Sequence, residues 1–164
     1  MQSAKVNRSA AKIVFSCYAA ATIALVGLAA GLKSTGTVFN ISASMPDTAY
    51  QKGHGQLGSI ASICSPVPNP NLARGFCPDG SMPLLKKVVA VRGDSVTVTD
   101  YGVLINGTLV PDSIPMVTGS NGYQLPQLRG SFHLQDGEVW LSGQHPHSFD
   151  SRYFGTVKLR DLIE

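Results

Sequence analysis

The chain has 164 residues, is 43% hydrophobic and 14% charged, and has a mean hydropathy of +0.09. That length fits one domain plus an anchor, and the composition excludes a disordered chain. The formal charge of +3 sits at one end: Lys5, Arg8 and Lys12 come first, and the ten remaining Lys and Arg balance ten Asp and Glu, all later in the chain. The folded part is therefore neutral, with no basic stripe to suggest a nucleic-acid partner.

Residues 1–12 read as a basic cytoplasmic segment. From Ile13 to Leu32 there are twenty residues without a charge. In a helix these would rise roughly 30 Å, enough to cross a bilayer core. The positive residues on its N-terminal side predict a transmembrane anchor over 13–32, with the N-terminus in the cytoplasm and residues 33–164 in the periplasm. The alternative is a cleaved signal peptide, for which Ala29-Ala30-Gly31 offers small residues, leaving a soluble periplasmic domain. A lipoprotein reading of Cys17 fails, because the apolar run follows that cysteine.

Residues 33–39 form a short spacer, and Asn40–Pro46 follows. Pro46 fixes its own φ and biases Met45 toward extended geometry, so the chain near Ser44 is stiff. Such a site suits a nucleophile that must be held in place, although Ser-Pro-rich turns are common. Residues 51–83 are rich in Gly, Ser and Pro, with one candidate strand near Leu57–Ile63. Cys64 and Cys77 are the only cysteines outside the anchor. An oxidising compartment would let them pair, and a disulfide would hold a loop that has little apolar surface of its own. No Cys-x-x-Cys or His-x-x-x-His spacing suggests zinc.

From Leu84 the pattern turns β-like. Lys86–Val91 is a β-branched run ended by Gly93-Asp94, and Ser95–Thr99 alternates. Val103–Val110 is a hairpin across Asn106-Gly107, a pair suited to a type I′ turn. Residues 111–130 are irregular. Ser131–Leu134 and Glu138–Ser142 predict another strand pair across Gln135-Asp136-Gly137. The expected fold is all-β, short antiparallel strands behind one N-terminal transmembrane helix.

A serine nucleophile needs a base. His54, His133, His145 and His147 lie in no triad motif, and as loop residues beside Pro146 the last two read as exposed rather than metal-ligating. A lysine can serve if burial makes its neutral amine available. Lys86 and Lys87 are adjacent in an apolar strand, so alternation sends one toward the core and the other to solvent.

Three stretches now stand in order behind the anchor: Ser42-Ala43-Ser44-Met45-Pro46, Leu85-Lys86-Lys87-Val88-Val89 with Gly93-Asp94, and Ser148-Phe149-Asp150-Ser151-Arg152 with Gly155. Together they resemble the type I signal peptidase superfamily of Ser-Lys membrane peptidases, family S26. The short chain and single anchor are similar to its smaller conjugative-transfer, TraF-like branch. The resemblance implies Ser44 as nucleophile and Lys86 as general base. It implies that Ser42 helps the Ser44 N–H stabilise the oxyanion, that Ser148 orients the lysine, and that Asp150 and Arg152 form a supporting charged pair. Asp94 matches the acid of a Gly-Asp turn.

The chain departs from the commoner family pattern at Arg92, where proline is usual, and at Gly143-Gln144-His145-Pro146. It also lacks a large inserted β region, and these departures favour a specialised substrate. Gly80-Ser81-Met82-Pro83 repeats the Ser-Met-Pro triplet, but only Ser44 stands close to the anchor. The resemblance implies a pilin precursor or another membrane-anchored protein as substrate and no cofactor. It implies maturation, with cyclisation as one outcome, through an acyl-enzyme. The alternatives are a general signal peptidase using water, and a non-enzymatic anchored β domain of a secretion assembly.

Overall fold

The computed structural model describes residues 8–34, 36–40 and 44–163. The chain falls into two compact units, one ending at Thr37 and the other comprising Val38–Glu164. The first contains helix α1, Arg8–Ser34, which coincides with the apolar run. Large apolar side chains on it, among them Phe15, Ile23, Val26 and Leu28, are exposed. Among the described residues no helix is long and apolar enough to cross a membrane.

The second unit is built from short strands. Thr37–Phe39 (β1) pairs with Ala49–Gln51 (β2). One four-stranded sheet contains Ile60–Ile63 (β3), Leu84–Ala90 (β4), Glu138–Ser142 (β9) and Val157–Lys158 (β10), in the order β10-β9-β4-β3. The other contains Ser95–Thr99 (β5), Gly102–Ile105 (β6), Thr108–Leu109 (β7) and Gly130–His133 (β8), in the order β7-β6-β5-β8. The β6–β7 turn places Asn106 at φ 49° and Gly107 at φ 81°. These left-handed values are what a type I′ hairpin requires.

Strands β8 and β9 do not pair with each other, contrary to the expectation from sequence. β8 pairs with β5, and β9 pairs with β4. Both the β4–β5 and the β8–β9 connections pass from one sheet to the other. The two corners are stitched where Gly93 N–H donates to the Leu134 carbonyl at 3.0 Å and Leu134 N–H donates to the Asp94 carbonyl at 3.0 Å. Alternation along a strand identifies the strand and its faces but not its partner.

Each sheet has its own core. One gathers Ile63, Leu84, Val88, Leu141, Phe149 and Tyr153 among others; the second gathers Ala90, Val96, Val98, Val103, Leu134 and Trp140. Strands β4 and β9 serve both. Successive residues of β9 point to opposite faces, so Val139 and Leu141 enter one core and Trp140 the other. On β4 a bulge between Val88 and Ala90 shifts the register, pairing Val88 with Leu141 and Ala90 with Trp140. Unbroken alternation would put Val88 and Ala90 on one face; the extra residue turns Ala90 to the second core.

Candidate active site

Ser44 lies in a turn whose shape is imposed from both sides. The Asn40 side-chain amide donates to the carbonyls of Met45 at 2.9 Å and Asp47 at 3.1 Å. Asp47 N–H donates to the Tyr50 hydroxyl at 2.7 Å, and the Met45 side chain is buried. The Ser44 carbonyl accepts from Gln144 N–H at 2.8 Å, which ties the turn to the chain leaving β9. Gly143 makes that approach possible. A Cβ there would overlap Ser148 Oγ and come within 3.2 Å of the Ser44 carbonyl oxygen.

Lys86 sits in the middle of β4 with Leu85, Lys87 and Val89 half-buried on the other face. Its register partner on β3 is Ala61. Only 1% of Lys86 is exposed, and Lys87 is half-buried, so the two lysines do face opposite ways. Burial, before any other cause, pulls the Lys86 amine from an ordinary 10.5 down to about 8. The Asp150 carboxylate opposes that fall, and the Arg152 guanidinium adds to it. An apolar setting disfavours the charged form, and desolvation outweighs the opposing pull of Asp150.

The supporting residues share one short segment. Asp150 caps the single-turn helix α2, Ser151–Phe154, its carboxylate accepting from Arg152 N–H at 3.2 Å. Arg152 Nε donates to Asp150 Oδ1 at 2.8 Å and Nη2 to Oδ2 at 2.9 Å, a bidentate pair in which both side chains are 1% exposed. Asp150 Oδ2 also accepts from Gly143 N–H at 2.9 Å. Arg152 Nη1 reaches the carbonyls of Asp112 and Pro146, each at 3.0 Å. Every charge in this pair is thereby matched, as burial demands. Ser148 is 1% exposed, and its hydroxyl has no hydrogen-bond partner among the described residues.

Ser44 and Lys86 line one cleft of about 560 Å³, together with Met116, Leu125, His147, Phe149 and Tyr153. The loop closed by the Cys64–Cys77 disulfide, whose Cα atoms are 5.6 Å apart, also contributes to its lining. The pairing expected from the cysteine count is therefore present, and Cys17 is unpaired.

The description "Signal peptidase, peptidase S26" matches residues 11–164. The chain belongs to the S26 signal peptidase family. Family membership makes it a serine peptidase, a hydrolase. Two plasmid transfer proteins TraF from Escherichia coli are similar to it. One is 33% identical over 148 residues, covering 83% of this chain and 84% of the relative. The other is 32% identical over 163 residues, covering 92% and 89%. A conjugal transfer protein TraF from Agrobacterium tumefaciens (strain 15955) is 37% identical over 92 residues, 56% of this chain and 51% of the relative. A signal peptidase I from Enterococcus faecalis V583 is 22% identical, with a TM-score of 0.38 over 69% of this chain and 95% of that one.

Within this member of the S26 family the other residues singled out from the sequence fall as follows. Ser42 lies outside the described residues. Ser81 does not line the cleft; its hydroxyl donates to Asp79 Oδ1 at 2.7 Å, and the residue is buried. Asp94 builds the β4–β5 corner, accepting from Val91 N–H at 2.9 Å and from the Asn106 amide at 2.7 Å. Those hydrogen bonds hold its carboxyl below the usual range. Arg92 is exposed beside Asp136, at 3.6 Å. His133 Nδ1 lies 3.3 Å from Ser95 Oγ, and the His145 and His147 rings meet edge-on at 5.3 Å. No cluster of metal-ligating side chains occurs among the described residues.

Asn40 and Gly143 emerge only from the fold. Asn40 is the first residue of the stiff stretch, and Gly143 opens one of the departures from the family pattern. Neither carries a motif: Asn40 acts through a side-chain amide whose acceptors are backbone carbonyls, and Gly143 acts by having no side chain.

Proposed function

We propose that the chain is a membrane-anchored Ser-Lys endopeptidase of a conjugative transfer system, maturing a pilin precursor. The observation that carries this reading is Lys86: a lysine buried in the same cleft as Ser44 and titrating near 8. A surface lysine is almost wholly protonated at neutral pH, whereas about a tenth of one titrating near 8 is neutral at pH 7. That amine takes the Ser44 proton as Oγ attacks the scissile carbonyl, then returns it to the leaving amine. The Ser44 N–H and the Ser42 hydroxyl stabilise the oxyanion. Asp150 with Arg152 holds the Ser148 segment against Gly143, whose backbone meets Ser44. The Ser148 hydroxyl makes no hydrogen bond to the lysine in this structure, so the orienting role that the family resemblance implies for it is left to its burial beside Gly143. A non-enzymatic scaffold offers no reason to bury a lysine at a cost in stability.

The TraF relatives supply the conjugative context. The acyl-enzyme ester at Ser44 is resolved by the substrate's own N-terminal amine, forming an amide and releasing the Ser44 hydroxyl, which gives a cyclic pilin. A general signal peptidase would use water at that step. The anchor rests on the uncharged run from Ile13 to Leu32 in the sequence, and the disulfide fits an oxidising periplasm. Co-expression with candidate pilin precursors, followed by intact-mass analysis, tests the reading. Processing is expected from wild type and Lys87→Ala, and none from Ser44→Ala or Lys86→Ala. A cyclic product is lighter than the linear one by one water. Full processing by Lys86→Ala would refute the assignment of the base.

A further inference from the structure

Two of the most exposed large apolar side chains in the peptidase unit share the cleft with Ser44 and Lys86. Phe76 is 75% exposed and Phe39 is 63% exposed, and both line it. Phe76 belongs to the loop closed by the Cys64–Cys77 disulfide, which also brings Leu72 and Ala73 to the lining. That loop is built rather than loose. Met82 N–H donates to the Ala73 carbonyl at 2.6 Å, Cys77 N–H to the Ser81 carbonyl at 3.0 Å, and Gly75 N–H to the Gly80 carbonyl at 2.9 Å. The Tyr123 hydroxyl donates to the Pro68 carbonyl at 3.1 Å, and Leu72 packs on the first core. Gly75 presses against Met82, where a Cβ would lie 2.6 Å from the Met82 Cα. The chain spends a disulfide and a network of backbone bonds on fixing a segment whose aromatic residue stays in water. Exposed aromatics on a rigid support are characteristic of recognition surfaces, since little side-chain entropy is lost when they are covered.

We infer that the disulfide-closed loop is a substrate-selecting wall of the cleft, and that Phe76 is a specificity-determining residue. Its occupant is the peptide cut at Ser44, because the same cleft holds both. Phe76, with Phe39, covers a large apolar side chain of that peptide away from the scissile bond. This rests on the reading of Ser44 and Lys86 given above and adds a feature of the substrate, an apolar anchor residue.

The full chain in mild detergent is assayed against internally quenched peptides in which each position in turn carries Leu, Phe, Ser or Asp. Reaction of Ser44 with p-nitrophenyl acetate, too small to reach the loop, is measured alongside. For Phe76→Ala the ratio of peptide cleavage to ester reaction should fall roughly tenfold, through KM, and only for peptides with an apolar residue at one position. Phe76→Asp should fall further and regain activity on peptides carrying Ser there. Tyr101→Ala, as exposed but outside the cleft, should match wild type. Phe76 variants that cleave every peptide with wild-type kcat/KM would overturn the role of the loop alone. So would variants that lose peptide and ester reactions equally. A wild type that cleaves no peptide and takes no acetyl group on Ser44 would overturn the peptidase reading and this inference with it.

Discussion

Replacing Lys86 by methionine should stabilise the protein while destroying its activity. In the folded chain the amine titrates near 8, against an ordinary 10.5. Between those two values the unfolded chain holds a proton that the folded chain has released, so stability rises with pH across that window. Below pH 8 both states are protonated and the full cost of burying the charge is felt. A tenfold change in a protonation equilibrium corresponds to about 1.4 kcal/mol, so lowering the amine from 10.5 to about 8 costs about 3 kcal/mol at pH 7. Methionine is unbranched, similar in length and uncharged, and would leave little void beside Val88. Urea unfolding of the full chain in detergent should show Lys86→Met more stable than wild type by about 2–3 kcal/mol at pH 7, with the difference nearly gone by about pH 10.5. Wild-type turnover should rise about tenfold between pH 7 and pH 9, as the neutral fraction of the amine climbs from about a tenth to about nine tenths. A Lys86→Met protein that is destabilised equally at both pH values would refute the reasoning, because the lysine would then titrate alike in the folded and unfolded chain. A turnover that is flat from about pH 6 to pH 9 would do the same for its role as base.

Gly143→Ala should reduce turnover by more than about tenfold and destabilise by about 1–3 kcal/mol, because the new methyl collides with Ser148 and the Ser44 carbonyl; steady-state kinetics and urea titration check both. Asp150→Ala strands a buried guanidinium and removes the acceptor of Gly143 N–H, so a loss of about 3–5 kcal/mol is expected in thermal or urea unfolding. A stability near that of wild type would mean that Arg152 finds another partner. Replacing Cys64 and Cys77 together by serine should cost about 3 kcal/mol, measured against the oxidised wild type, and an unchanged urea midpoint would mean that the loop's own hydrogen bonds suffice.

The opposite faces of Lys86 and Lys87 are readable from the chain because β4 is buried on one side and half-buried on the other, and two-residue alternation carries that information. The Asn106-Gly107 turn is readable because left-handed backbone demands such residues. The β8–β9 connection misleads for a definite reason. Gln135-Asp136-Gly137 has the length and the glycine of a hairpin, but a corner between two sheets can be made from the same residues. Helix α2 is four residues long, too short for any periodicity to mark it. The bulge at Val88 and Ala90 and the contact of Gly143 with Ser148 depend on which strands end up side by side. No local pattern encodes that. The disulfide follows from two leftover cysteines, whereas the arrival of its loop at the cleft is a tertiary fact.

Strand β4 carries Lys86 two residues from Val88, a side chain with no exposure at all, and pairs with β3 over Leu84–Lys87 and with β9 over Lys87–Ala90. The amine is therefore fastened to the most protected part of the fold and is released only when the whole sheet opens. Ser44 is held by a loop, through Asn40, Tyr50 and the Gln144 N–H, and such segments open locally at lower free energy. The two halves of the candidate dyad thus belong to parts of the molecule with different opening energies. Amide exchange across β4 should be among the slowest in the chain, and that around Met45 much faster. Under mild denaturant the serine would leave its position while the lysine keeps its own, so activity fades before the sheets do. A substrate that packs against the loop opposes that local opening and so steadies the catalytic geometry that it uses.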